Sequence, residues 1–264
     1  MVEIQNKIAI LVDFDNWYPN VLKSEDETKI LNLLNNVINQ IIPDSEEFEY
    51  ISIGMYGGWY TGNVLTQKAS VLSSMLPRLQ NIFPFRKTNS QVLIQGEIKL
   101  ATQLYDDETI WYNSYREHVG IPKLRIKTEK IGSICNENSK HCPVHILQNF
   151  TKNKSSLCRV NACDTKHSEV FFTREQKYVD SMIVCDILSY GVDPSYHMIV
   201  VLSEDCDMYP AFAALHRLNA INHKETRLEL FVRNNEVKQN NQTLLNQFGV
   251  NINLINIKYE TINL

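Results

Sequence analysis

A chain of 264 residues is long enough to bury a sizeable core, and 44% hydrophobic with 21% charged residues is globular composition that excludes disorder as the main state. No apolar run approaches the roughly 20 residues that span a bilayer. The first residues also lack the charged, apolar and small-residue order of a secretory leader, so the expectation is a soluble, cytoplasmic protein with no membrane partner. The net charge of −4 excludes nucleic-acid binding by bulk positive charge; a polynucleotide would need a local basic patch or a metal held by the acid excess.

The chain opens on a buried strand, Lys7 to Val12 (KIAILV), which ends at Asp13. A helix follows over Thr28 to Ile42, with Ile30, Leu33, Leu34, Val37, Ile38 and Ile41 at helical spacing and three acids, Glu25, Asp26 and Glu27, before it. Tyr50 to Tyr56 reads as the second strand and Val64 to Leu79 as the second helix. This alternation predicts an α/β fold: a central, mostly parallel sheet flanked by helices in three α/β/α layers. Gln91 to Leu100 and Leu124 to Ile131 read as strands, and Tyr105 to His118 has no clear pattern. Residues 132–170 carry a Cys/His-rich composition and read as an insertion in one domain covering 1–264. Arg174 to Ser189 reads as a helix capped by Gly191, and His197 to Ser203 as an apolar strand. Pro210 to Leu218 is a helix, Arg227 to Arg233 a strand, Gln242 to Phe248 a polar helix and Ile252 to Ile257 a last strand.

Two apolar strands end in acid: Asp13-Phe14-Asp15-Asn16 after the first, Glu204-Asp205-Cys206-Asp207 after HMIVVLS. Ligands of parallel sheets bind outside the carboxyl ends of the strands, so both clusters belong on the functional edge. If the two strands are neighbours, Asp13 and Asp205 are close in space. Asp180 lies in the helix that leads into the second strand. Clustered carboxylates repel, by roughly 4 kcal/mol for two charges about 4 Å apart at an effective dielectric near 20. An oxygen-ligated divalent cation, Mg²⁺ or Mn²⁺, offsets this. Strand-end acids also serve as plain caps and turn residues, but two such clusters together with Asp180 favour a metal site.

These blocks resemble the NYN group of PIN-like nuclease domains. The matching residues are IAILVDFDN (Asp13, Asn16), QKYVDSMIVCDIL (Lys177, Asp180, Asp186) and IVVLSEDCDMYPAFAAL (Ser203, Asp205, Asp207). They cover the first ~60 residues and about 174–235, with Glu204 and Val179 standing where the family has Gly. The resemblance implies a PIN-like, Rossmannoid fold and phosphodiester hydrolysis, with RNA favoured over DNA, using one or two Mg²⁺ or Mn²⁺ ions. It assigns Asp13, Asp180, Asp205 and Asp207 as catalytic metal ligands. Asn16 becomes a phosphate or water donor, Ser203 a hydrogen-bonding support and Lys177 a phosphate neutraliser. Asp186, six residues past Asp180, turns away on the helix and should be structural. Pairing of such domains in the family favours a homodimer.

Cys142-Pro143-Val144-His145 and the pair Cys158 and Cys163, with Cys135 as a competitor for the fourth place, form a set suited to structural Zn²⁺. His141 and His167 stand outside that set. Two rivals to the nuclease are a catalytically degenerate module that binds nucleic acid or protein, and a haloacid-dehalogenase-like phosphatase built on Asp13 and Asp15. The phosphatase pattern is broken by Trp17 and by the close spacing of Asp205 and Asp207.

Overall fold

A computed structural model describes residues 6–20, 22–23, 26–42, 48–86, 93–120, 141–152, 157 and 162–255. In chain order the elements are β1 (Lys7–Asp13), α1 (Phe14–Trp17), α2 (Asp26–Ile41), β2 (Tyr50–Tyr56), β3 (Tyr60–Thr61), β4 (Val64–Leu65) and α3 (Gln67–Leu79). There follow β5 (Phe85–Arg86), β6 (Leu93–Leu100), β7 (Tyr115–Val119), α4 (Pro143–Lys152), α5 (His167–Val170) and β8 (Phe172–Gln176). The chain closes with α6 (Val179–Val192), β9 (Tyr196–Leu202), α7 (Tyr209–Asn222), β10 (Arg227–Val232), α8 (Asn235–Asn246) and β11 (Val250–Leu254). Two compact units result, one of residues 1–114 and 177–264, the other of residues 115–176. The second unit is wider than the 132–170 segment marked by its Cys and His content.

The first unit is an α/β fold around a seven-stranded sheet in the order β11-β10-β9-β1-β2-β6-β5, parallel except for the edge pair β5–β6. Leaving out β5, the parallel strands read 3-2-1-4-5-6 by chain order, the arrangement of doubly wound sheets. The order reverses between β1 and β9. Side chains of β1 alternate between the two faces. Ile8, Ile10 and Val12 join the core with Leu34 of α2 and Leu72 of α3, while Ala9 and Leu11 join Ile183 of α6 and Phe212 of α7. Burying each such aliphatic side chain contributes about 1.5–3 kcal/mol, which is why both central strands read as unbroken apolar runs.

Several sequence expectations need correction. Val64 and Leu65 belong to a small hairpin with Tyr60–Thr61, and the helix starts after Thr66, whose side chain accepts the Ala69 N–H at 3.3 Å. Gly191 lies inside α6, not beyond it; a Cβ there would sit 2.3 Å from Leu215 Cδ1, so the glycine allows close approach of α6 and α7. Arg174–Gln176 are strand rather than helix, because β8 pairs antiparallel with β7 in the second unit. Lys177 therefore precedes the helix, in the two-residue link between β8 and α6. The strand expected over Leu124 to Ile131 lies outside the described residues.

Candidate active site

The carboxyl ends of β1 and β9 adjoin at the point where strand order reverses, and Ser203 joins them. Its hydroxyl donates to Asp13 Oδ2 at 2.8 Å and accepts the Asp205 N–H at 3.1 Å. Asp13 Oδ1 accepts the Asn16 N–H at 3.3 Å, capping the short helix α1. Asn16 Oδ1 in turn accepts the Glu204 N–H at 3.3 Å. Asp205 Oδ1 accepts the Asp207 N–H at 3.0 Å. One chain of hydrogen bonds thus runs through Asn16, Asp13, Ser203, Asp205 and Asp207.

Asp13 is only 4% exposed. Burial pushes its pKa up to about 6, and the negative Asp180 and Asp15 add to the rise against the opposing bonds from Ser203 and Asn16. Asp180 is also raised, first by desolvation, then by the charges of Asp205 and Asp207. Among the described residues no Lys, Arg or His forms an ion pair with any of the four acids. Among the same residues, the group of three potential ligands lying within 4.8 Å of one another is Asp205, Cys206 and Asp207. Asp13 and Asp180 stand farther out, close enough to interact through charge.

Two neighbouring acids are neutralised instead. Asp15 accepts from Lys68 Nζ at 2.5 Å and from the Gly58 N–H at 2.7 Å. Glu204 accepts the Arg233 and Asn234 N–H groups through Oε1, at 3.0 and 2.8 Å, and Arg233 Nη2 through Oε2 at 3.1 Å. Arg233 also donates to the carbonyls of Trp17 and Asn16 and lies over the Trp17 ring. Lys68 and Arg233 were missed from sequence. Arg233 closes the strand RLELFVR at the same sheet edge, the one cue that could have found it; Lys68 offered none.

Asp186 turns away from the cluster, as its helical offset requires. It is buried, with Oδ2 accepting the Tyr56 hydroxyl at 2.5 Å and Oδ1 the Tyr105 N–H at 2.8 Å. Tyr178, immediately before α6, adopts the left-handed region with φ 71°, a conformation that costs a bulky residue about 1–3 kcal/mol.

Of the zinc candidates, Cys135 and Cys158 lie outside the described residues. Cys142, His145 and Cys163 belong to the second unit and are not brought within 4.8 Å as a set of three. Among the described residues, His145 Nε2 and both ring nitrogens of His167 are buried without hydrogen-bond partners, and His167 is 0% exposed.

No protein-family model matches the chain, and comparisons with curated proteins and with solved structures likewise give no match. Among the described residues, no helix is long and apolar enough to cross a membrane.

Proposed function

We propose that the chain is a metal-dependent nuclease of the PIN-like NYN type that hydrolyses phosphodiester bonds, with RNA as its favoured substrate. The observation that carries this reading is the buried Asp13 carboxylate, linked through Ser203 to Asp205 just past the neighbouring strand, in a cluster that no cationic side chain among the described residues pairs with. A donor set dominated by carboxylates, with the Cys206 thiol beside Asp205 and Asp207, fits a divalent ion that prefers oxygen ligands. Asp13, Asp180, Asp205 and Asp207 would hold Mg²⁺ or Mn²⁺, which when bound supplies an activated water and offsets charge on the leaving oxygen.

The remaining residues act on the substrate or on the acids. Ser203 fixes the Asp13 and Asp205 carboxylates relative to each other. Asn16 uses its carbonyl oxygen on Glu204 and keeps its amide NH₂ to donate to a phosphate oxygen. Lys177, in the link before α6, offsets phosphate charge. The phosphatase reading would need Asp15 as a proton donor, and Asp15 is already occupied by Lys68 and Gly58.

The test is cleavage of end-labelled single-stranded RNA and DNA with Mn²⁺, Mg²⁺ or EDTA, beside Asp205→Asn. Metal-dependent cutting, reduced by about 10²–10³-fold in the variant, is expected. No cutting of either polymer with any metal would favour the binding-module reading.

Zinc in the second unit is also proposed, because a fully buried imidazole with both nitrogens unpaired is costly and ligation relieves it. That observation brings His167 into the candidate set. About one zinc per chain is expected by elemental analysis of protein purified without chelator; a zinc-free, folded protein would end this proposal.

A further inference from the structure

A band of partly exposed aromatic rings borders the acid cluster on the same edge of the sheet. Tyr178 stands two residues before Asp180 and is 37% exposed, with its ring centroid 5.5 Å from that of Trp111. The Trp111 N–H donates to the Thr102 carbonyl, just past the carboxyl end of β6, so this segment follows the functional edge. Tyr112 is 44% exposed, and its ring meets Tyr60 edge-on at 5.0 Å, just beyond the end of β2.

Short bonds fix the band to the unit. The Asn113 N–H donates to the Gly62 carbonyl at 2.9 Å, the Tyr60 N–H to Ser114 Oγ at 3.0 Å, and the Lys177 N–H to the Ser114 carbonyl at 2.8 Å. Tyr178 is held in a left-handed conformation that its own side chain disfavours. The two core clusters treat Trp111 and Tyr60 as peripheral and leave Tyr112 and Tyr178 out.

We infer that this band is a stacking platform for unpaired bases of single-stranded nucleic acid. The assignment rests on the nuclease reading and adds its substrate class. Four aromatic rings in two pairs, starting beside Asp180, supply sequence-tolerant faces for successive bases. Lys177, next to Tyr178, adds positive charge for a phosphate backbone, and a bound divalent ion would offset the acids that otherwise repel it. In a duplex the base faces are already stacked inside the helix, so duplex gains nothing from these rings. The platform therefore selects single strands over duplexes of the same sequence.

The test uses the full chain as Asp205→Asn with Mn²⁺. Affinity for a labelled single-stranded RNA, the matching DNA and the duplex RNA is read by fluorescence anisotropy. Tyr178→Ala and Tyr112→Ala should each weaken single-strand binding by about tenfold and leave duplex binding unchanged. Tyr178→Phe should keep the affinity, and Tyr178→Leu, apolar but not flat, should lose it. In the active chain the alanine variants should raise KM with kcat nearly unchanged. Unfolding midpoints check that each variant is folded. Unchanged single-strand affinity and KM in both alanine variants would overturn the platform, as would equal affinity in Tyr178→Leu, which indicates an apolar docking surface for protein. Cleavage by the parent with tyrosine-independent KM overturns the platform and leaves the nuclease standing. Tyrosine-dependent binding without cleavage does the reverse. Neither binding nor cleavage overturns both.

Discussion

Two buried acids of one sheet, Glu229 and Asp13, differ in what answers their charge. Glu229 on β10 is 4% exposed, the same as Asp13. It receives Arg227 Nε at 2.7 Å, Asn251 Nδ2 at 3.0 Å and Asn253 Nδ2 at 2.6 Å. Asp13 receives one hydroxyl and one peptide N–H, and other acids surround it. Glu229 is thus answered by a cation and two amides, whereas the buried Asp186 makes do with the Tyr56 hydroxyl and the Tyr105 N–H. Among the described residues, Asp13, Asp180, Asp205 and Asp207 pair with no cationic side chain, and the proposed metal would fill that role.

The largest effect on stability should come from breaking the satisfied group. Glu229→Ala removes the acceptor of three donors and leaves Arg227 and two amides of β11 without their partner. A loss of about 3–5 kcal/mol is expected, reduced to the extent that the half-exposed Arg227 turns to water. Urea unfolding measures it. A loss below about 1 kcal/mol would show that these bonds do not stabilise Glu229 and would erase the contrast with Asp13.

Asp13 should behave in the opposite sense. Its folded pKa of about 6 lies above the ordinary 3.8, so the metal-free folded protein holds this proton more tightly than the unfolded chain. The associated stability is fully present below about pH 4 and is lost as the pH rises through about 6, some 3 kcal/mol in all at about 1.4 kcal/mol per pKa unit. Asp13→Asn removes the titration. In EDTA its unfolding midpoint should therefore exceed that of the natural chain at pH 7.5, with the gap closing toward pH 4. Comparing the two proteins at each pH cancels other groups, including Asp26 and Asp193, whose lowered values act in the opposite direction. Mn²⁺ at pH 7.5 should raise the midpoint of the natural chain and leave Asp13→Asn nearly unmoved. A gap independent of pH would remove Asp13 from the uncompensated group.

What could be read from sequence follows the range of the interactions. KIAILV and HMIVVLS declare themselves because central parallel strands are apolar on both faces, and their terminal acids then fall on one edge. The offset of Asp186 from Asp180 is a local helical property, and its inward turn was legible. Arg174–Gln176 misled as helix because the strand they belong to alternates between exposed and half-buried with no apolar face, and its partner β7 lies more than fifty residues upstream. The cations that sort the acids are equally remote: Lys68 is 53 residues from Asp15, and Arg233 29 from Glu204. No periodicity encodes such pairs, so nothing in the sequence showed that Asp15 and Glu204, which share the two strand-end acidic stretches, are bound to Lys68 and Arg233.

Glu204 is the finest test of that separation, since it stands where the resembled family has Gly and adjoins Asp205. Both its oxygens are already committed to Arg233 and Asn234. Glu204→Gln keeps the shape and two neutral acceptor contacts while weakening a partly exposed ion pair, for an expected loss of about 0.5–1 kcal/mol. Its Mn²⁺ midpoint, read from the metal-dependent rise in unfolding temperature, should stay within about threefold of the natural chain, since removing one direct carboxylate ligand would shift it by tenfold or more. A tenfold shift would move Glu204 among the metal-holding acids and make the Arg233 pair the arrangement of the ion-free protein. A small one leaves Glu204 as the strut that ties the β9 turn to the end of β10 and, through Arg233, to the Asn16 carbonyl in α1.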